Sequence, residues 1–121
     1  MNAYRIMVID DEKIVGDMAK MSLEKDGYVV ETFLNAEPAL ARLKEQEFDV
    51  VVTDLKMKGI DGMEVLRTVK KLYPETRVIM ITAFANLDAA IEALRAEVHD
   101  FFPKPVKIKE LKASIQRALG G

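Results

Sequence analysis

The chain has 121 residues, and 18 lysines and arginines against 20 aspartates and glutamates give a net charge of −2. Hydrophobic residues make up 50% of the sequence, which is typical of one small globular domain. The absence of cysteine excludes disulfides and thiolate metal sites and favours a cytoplasmic setting. We expect neither a nucleic-acid partner nor a membrane, because the charge is balanced and the apolar runs are far shorter than the roughly 20 residues of a membrane-spanning helix.

Five short apolar runs rich in β-branched residues alternate with segments of helical periodicity. The runs predict strands at residues 4–9, 28–33, 49–53, 77–82 and 100–102. Alternating strands and helices indicate a parallel sheet with helices on both faces, since parallel neighbours need crossover connections. Five strands favour a flavodoxin-like (βα)5 three-layer α/β sandwich with sheet order 2-1-3-4-5. Without a linker or repeat, residues 1–121 are expected to form one domain with no second, effector domain.

Helices are marked by apolar residues that recur every three or four positions. This spacing is clearest in the second, fourth and last predicted helices: Ala36, Ala39, Leu40 and Leu43; Leu87, Ala90, Ile91 and Leu94; and Ile108, Leu111, Ile115, Ala118 and Leu119. Asn35 and Asn86 stand where N-caps are expected, and Gly27 follows the first helix as a stop. Similar spacing assigns three methionines to the core: Met7, Met18 and Met80.

Chemically active side chains gather at one predicted edge of the sheet. In an open sheet of this order, ligands bind beyond the carboxyl ends of the strands, at the switch point between strands one and three. Asp10 and Asp11 follow the first strand and Asp54 follows the third, while Thr82 ends the fourth strand and Lys104 follows the fifth. We therefore expect three carboxylates, one hydroxyl and one amine to converge.

The convergence of carboxylates limits the chemistry of this edge. Two carboxylates ~4 Å apart repel by roughly 4 kcal/mol at an effective dielectric of about 20, so the cluster either holds a proton or binds a cation. An all-oxygen set suits Mg²⁺ or Mn²⁺, whereas His99 is the only histidine and makes zinc a poor candidate. A phosphoryl group accepted by Asp54, with its oxygens held by Thr82 and Lys104, is compatible with such a site.

Four motifs stand in order at the ends of the predicted strands. They are Val8-Ile9-Asp10-Asp11-Glu12; Val52-Thr53-Asp54-Leu55-Lys56-Met57 with Asp61-Gly62-Met63-Glu64; Ile81-Thr82-Ala83; and Asp100-Phe101-Phe102-Pro103-Lys104-Pro105. Together they resemble the receiver domains of bacterial two-component response regulators, and the resemblance spans the whole chain. The combination is far more specific than any one motif.

The resemblance implies a role for each matching position. Asp54 corresponds to the residue that accepts a phosphoryl group from the phosphohistidine of a sensor kinase or phosphotransfer protein. Asp11 corresponds to the direct Mg²⁺ ligand, Asp10 to the acid that reaches the ion through water, and Lys56 to the residue that offers a backbone carbonyl. Lys104 corresponds to the phosphate-binding lysine. Such a domain is a switch rather than an enzyme, with at most slow loss of its own phosphoryl group.

The resemblance also implies how the signal leaves the site. Thr82 and Phe101 match a switch pair, in which the hydroxyl moves toward the phosphoryl group and the aromatic ring turns inward. The fourth helix, fifth strand and fifth helix would then contact an effector domain, a partner protein or a second copy. A solvated face explains the polar residues of this surface equally well. The Lys104–Pro105 peptide is expected to be cis.

Several positions depart from the family pattern or admit another interpretation. Lys58 replaces a common proline, and Glu97 with Val98 replaces a small Gly-Ala pair before the last strand. Asp10 and Asp11 alone would also suit a helix start. A phosphatase with an aspartyl nucleophile remains an alternative, although Lys56 stands where such enzymes carry a second acid. A receiver-shaped interaction module that is never phosphorylated is the other alternative.

Overall fold

The computed structural model of the chain describes residues 3–57, 59–83 and 86–120, and five strands and five helices alternate within them. The strands are β1 (Arg5–Ile9), β2 (Val29–Phe33), β3 (Val50–Asp54), β4 (Arg77–Thr82) and β5 (Asp100–Pro103). The helices are α1 (Lys13–Lys25), α2 (Ala36–Glu45), α3 (Gly62–Leu72), α4 (Leu87–Arg95) and α5 (Ile108–Ala118). Lys58, one of the departures noted above, lies outside the described residues.

All strands pair in parallel, in the order β2-β1-β3-β4-β5, which confirms the predicted flavodoxin-like topology. The strand ends agree with the predicted ranges to within one residue. β3 lies at the centre, with β1 on one side and β4 on the other, and all five of its residues are buried. The acceptor position predicted from the sequence is therefore carried by the most enclosed strand.

The sheet separates two hydrophobic cores, because successive side chains of a strand point to opposite faces. Met7 and Ile9 of β1 belong to the core beneath α2, α3 and α4, whereas Ile6 and Val8 belong to the core beneath α1 and α5. Every one of these four side chains is at most 1% exposed. The three layers of the predicted sandwich follow from this alternation.

The turns after α1 and α4 have the same hydrogen-bond pattern with different residues. Gly27 and Glu97 both have a positive φ, of 92° and 66°, and each N–H bonds to the helical carbonyl three residues back. In each case the next N–H bonds to a carbonyl five residues back, which defines a Schellman motif. Glycine adopts this conformation without strain, but Glu97 does not, so the turn that departs from the family pattern is strained.

Helix α4 is confirmed, but its predicted apolar stripe does not face the core. Leu87 and Leu94 are 74% and 71% exposed, and Ala93 is the buried residue of this helix. Ala89 and Ala96 pack beside Ala93 against the core, because small side chains allow a helix to approach the sheet closely. The alanine face buries little area, so α4 is held by few contacts.

Other local predictions have mixed outcomes. Asn86 caps α4 by accepting the N–H of Ala89 at 2.8 Å, as predicted, whereas Asn35 precedes α2 without a side-chain cap bond. Met18 is 60% exposed, so its assignment to the core is wrong, because α1 buries the neighbouring stripe that includes Ala19. Within the described residues, none of the helices combines the length and apolarity that crossing a membrane requires.

Candidate functional site

Asp54 is the last residue of β3, and its carboxylate reaches the carboxyl edge of the sheet. It is 5% exposed and receives hydrogen bonds on both oxygens. The backbone N–H of Lys56 donates to Oδ1 at 3.2 Å, and the Lys104 ammonium donates to Oδ2 at 2.9 Å. The carboxylate is thus fixed by one neighbour in sequence and one distant residue.

The start of α3 lies directly against the backbone of Asp54. Gly62 donates its N–H to the Leu55 carbonyl at 2.8 Å, and a Cβ atom on Gly62 would lie 2.2 Å from the Asp54 carbonyl oxygen. Asp61 caps this helix by accepting the N–H of Glu64 at 3.0 Å. Only glycine permits this approach, so Gly62 defines where the strand can end and the helix begin.

The turn between β1 and α1 brings Asp10 and Glu12 to the same place. Asp10 is 1% exposed, and its Oδ1 accepts the backbone N–H of Glu12 at 2.9 Å. Glu12 precedes α1 without capping it, and its side chain turns toward the site instead. Oxygens of Asp10, Glu12 and Asp54 all lie within 4.8 Å of one another.

Lys104 joins the three carboxylates. Its ammonium lies 2.8 Å from Asp10 Oδ2, 2.8 Å from Glu12 Oε1 and 2.9 Å from Asp54 Oδ2. The turn after β5 delivers it there, since the Lys104 N–H donates to the Thr82 carbonyl at 2.8 Å. The Lys104–Pro105 peptide is cis, as the family resemblance implies.

The electrostatics of this cluster follow from burial and pairing. Burial raises the pKa of the Asp10 carboxyl, and the ion pair with Lys104 and the hydrogen bond from the Glu12 N–H only partly oppose that effect. Burial alone would lower the pKa of Lys104, but its three carboxylate partners outweigh burial and raise it. The ammonium therefore stays charged and partly compensates the carboxylates. In this role, the sequence predicted a proton or a metal cation rather than Lys104.

The residues of the cluster fit a hard divalent cation. One ammonium cannot neutralise three carboxylates, so the site retains excess negative charge. Asp10 Oδ2 is buried and makes no directed hydrogen bond among the described residues; its contact with Lys104 is a close ion pair. A buried carboxylate oxygen in an oxygen-rich cluster is a ligand type that suits Mg²⁺ or Mn²⁺.

Some predicted site residues lie apart from this cluster. Asp11 is exposed, outside the group of converging carboxylates, and Lys56 is exposed with its N–H turned to Asp54. Thr82 is fully buried at the end of β4, beside the strand that carries Asp54. Phe101 is half-buried and packs against the core beneath α3 and α4.

Two residues of the site were not predicted from the sequence. Glu12 belongs to the first motif, and its position two residues after Asp10 is a signal for a shared turn. Gly62 belongs to the second motif, and the Asp-Gly pair at the start of a helix is the signal for its role. His99 is the single histidine, which made zinc a poor candidate, and it precedes β5 at the opposite edge of the sheet.

Comparison with known proteins agrees with this arrangement. Residues 6–116 match the family described as "Response regulator receiver domain". The chain belongs to the response regulator receiver domains. A receiver domain from Methanospirillum hungatei JF-1 has a similar structure, with a TM-score of 0.95 and 31% identity over 98% of this chain and 95% of that one. The beryllofluoride-activated NtrC4 receiver domain dimer has a TM-score of 0.89 and 30% identity over 94% of each chain.

Several curated relatives that are much longer than this chain contain a region similar to it. The DNA-binding transcriptional regulator NtrC of Proteus hauseri is 32% identical over 119 residues, which are 98% of this chain and 25% of that protein. The chain thus spans about a quarter of the curated relative that it matches. Receiver domains are signalling switches that bind Mg²⁺ at an acidic pocket, and Asp10, Glu12 and Asp54 form an acidic cluster in this chain.

Proposed function

We propose that this receiver domain accepts a phosphoryl group on Asp54 from the phosphohistidine of a cytoplasmic sensor kinase or phosphotransfer protein. One observation carries the proposal: a buried carboxylate at the switch point of the sheet whose oxygens are held by Lys104 and by the N–H of Lys56. These contacts orient the carboxylate in a single position before any donor arrives. Preorganisation of this kind lowers the barrier to phosphoryl transfer.

The transfer itself is a substitution at phosphorus. A carboxylate oxygen of Asp54 forms a bond to phosphorus while the bond to the donor histidine nitrogen breaks, and that nitrogen leaves with the electron pair. The Lys104 ammonium, 2.9 Å from Oδ2, is placed to follow the phosphoryl oxygens as they approach. Negative charge accumulates at the phosphoryl group. The single positive charge of Lys104 does not neutralise it, so a further cation is needed.

A bound Mg²⁺ would supply that compensation. We propose that Asp10 and Asp54 hold the ion with Asp11 and the backbone carbonyl of Lys56, as the family resemblance implies; Mn²⁺ suits the same oxygens. Asp11 makes no hydrogen bond or ion pair with the described residues, which supports its availability as a ligand. The buried Oδ2 of Asp10 supports the same assignment.

The switch would begin at Thr82 and Phe101. Thr82 ends β4, the strand next to Asp54, so its hydroxyl is close enough in the fold to turn toward a phosphoryl group. Phe101 packs on the core that also receives α4. We expect Thr82→Ala to accept a phosphoryl group and to lose the response of α4, because the contact that differs between the two states is missing.

The output surface would be the face formed by α4, β5 and α5. Leu87, Ile91 and Leu94 leave an apolar stripe exposed on α4. We propose that a second copy of the domain covers this stripe after phosphorylation, before the signal passes to an effector domain or partner. Light scattering with and without beryllofluoride tests this: the wild type should dimerise, Leu94→Glu should stay monomeric, and dimers of Leu94→Glu would contradict it.

Intact mass spectrometry tests the acceptor. The protein is incubated with Mg²⁺ and a small acyl phosphate, and one phosphoryl adduct is expected on the wild type and on Asp17→Asn, an exposed control on α1. Asp54→Asn should form none. An adduct on Asp54→Asn, or none on the wild type, would contradict the proposal.

The same reaction separates the alternatives. A phosphatase would release inorganic phosphate from phosphate esters with rapid turnover, whereas we expect the adduct to disappear slowly after the donor is removed. The exposed ammonium of Lys56 in place of a second acid argues against the phosphatase. An interaction module that is never phosphorylated would form no adduct at all.

A further inference from the structure

Glu12 is the most exposed carboxylate of the acidic cluster. Its side chain is 59% exposed, whereas those of Asp10, Asp54 and Lys104 are 0%, 7% and 12% exposed. It nevertheless accepts a hydrogen bond from the Lys104 ammonium at 2.8 Å. Glu12 is therefore the exposed carboxylate among the three that contact the Lys104 ammonium.

The Lys104 ammonium and a divalent cation would compete for the same oxygens. Two of the three carboxylates that hold Lys104 are Asp10 and Asp54, to which the proposed function assigns the cation. A divalent ion beside the ammonium repels it twice as strongly as another single charge would. The ammonium must then give up Asp10, and Glu12 is the remaining carboxylate that contacts it.

We propose that Glu12 is a positioning residue for Lys104: it keeps the ammonium beside Asp54 when a divalent cation takes the oxygens of Asp10. The proposal rests on the cation site of the proposed function. Glu12 acts through Lys104 and not as a ligand of the cation. Its exposure suits this role, because a solvated side chain can follow the ammonium outward while buried Asp10 cannot.

A double-mutant cycle on Mn²⁺ affinity tests this coupling without measuring phosphorylation. Electron paramagnetic resonance measures the concentration of free Mn²⁺, and hence the Mn²⁺ affinity, for the wild type, Glu12→Gln, Lys104→Met and the double variant. In Glu12→Gln without the cation, Lys104 still contacts Asp10 and Asp54. When the cation is bound to that variant, Lys104 has lost Asp10 as well and contacts Asp54 alone. Glu12→Gln should therefore weaken Mn²⁺ binding about fivefold, equivalent to about 1 kcal/mol.

The effect of Glu12→Gln should vanish when Lys104 is methionine. Equal losses in both backgrounds would show that Glu12 acts on the cation directly, and no loss in either would show that it has no part; both results overturn the inference. Lys104→Gln supplies a second background if the methionine variant does not fold. Glu47→Gln, an exposed residue at the opposite sheet edge, controls for net charge and should leave affinity unchanged.

Mn²⁺ binding by the wild-type protein distinguishes the role of Glu12 from the cation site of the proposed function. A wild-type protein that binds Mn²⁺ with no coupling between Glu12 and Lys104 would overturn the role of Glu12 alone. A wild-type protein that binds no Mn²⁺ would overturn the cation site, and this inference with it. The adduct on Asp54 is measured separately by mass.

Discussion

Replacing Gly62 with alanine should damage both stability and the acceptor site. The new Cβ would lie 2.2 Å from the Asp54 carbonyl oxygen and 2.8 Å from Leu55 Cα, whereas real Cβ contacts stay beyond 3.0 Å. Both neighbours are backbone atoms of a buried strand end, so no flexible side chain can yield. The start of α3 must therefore move away and give up the hydrogen bond from the Gly62 N–H to Leu55.

The expected loss can be estimated from these contacts. Overpacking a close-packed site costs roughly 1–3 kcal/mol, and losing a buried hydrogen bond costs about 1 kcal/mol more. Alanine recovers up to about 1 kcal/mol, the difference from glycine in a helix interior, because Gly62 begins α3 without a positive φ. The net loss in the free energy of unfolding is roughly 2 kcal/mol.

Urea unfolding followed by far-UV circular dichroism measures this loss, since the chain has no tryptophan. The midpoint of Gly62→Ala should fall by about 1 M. The matched control is Gly16→Ala in α1, whose Cβ would lie an ordinary 3.5 Å from Thr32 Cβ and should leave the midpoint unchanged or higher. A Gly62→Ala midpoint at or above that of the wild type would refute the steric reasoning.

Adduct formation provides a second measurement on the same variant. The same Cβ would press on the Asp54 carbonyl, and a misplacement of a reacting group by about 1 Å can slow a reaction about 100-fold. We expect phosphorylation of folded Gly62→Ala to slow by about that factor while Gly16→Ala reacts normally. An unchanged rate would show that the close approach of α3 is needed for stability alone.

Three further predictions concern the scaffold. Glu97→Gly should raise the free energy of unfolding by about 1 kcal/mol in urea, because it removes a left-handed strain; an unchanged midpoint would refute the strain. Glu31→Gln should destabilise the domain at neutral pH, since hydrogen bonds from Arg42 lower the pKa of Glu31. The stabilisation by Glu31 is present above its normal pKa of 4.5 and should shrink as the pH falls below it. A difference in unfolding free energy between variant and wild type that does not change with pH would contradict this. Ser114→Ala should cost about 1 kcal/mol in thermal unfolding, because its buried hydroxyl donates to Asp100 at 2.8 Å, and no change in melting temperature would contradict this.

The fold was predictable because its signals are local and repeated. Each strand is a short β-branched run, and each crossover implies a parallel neighbour, so topology follows from order alone. The helix α4 shows the limit of this reasoning. Its leucine and alanine stripes have the same period, and periodicity cannot tell which stripe is buried; hydropathy favoured Leu87 and Leu94, while close packing uses Ala93.

The site was predictable only as far as strand ends determine it. Asp10, Asp54 and Lys104 meet because the carboxyl ends of parallel strands share one edge. The side-chain directions in the turn after β1 were harder to predict, since a single backbone rotation decides which of the consecutive acids faces the site. That turn directs Glu12 toward Lys104 and leaves Asp11 in solvent, and neither outcome is encoded in residue spacing.

The contrast between β3 and α4 predicts two different regimes of amide exchange. β3 is paired on both sides and buried throughout, so its amides should exchange with deuterium only when the whole domain unfolds. α4 has Ala93 as its buried residue, with Ala89 only partly buried, and should exchange through local opening. Asp54, the proposed acceptor, thus stands on the strand expected to exchange most slowly, and α4, the proposed transmitter, is the helix expected to open first.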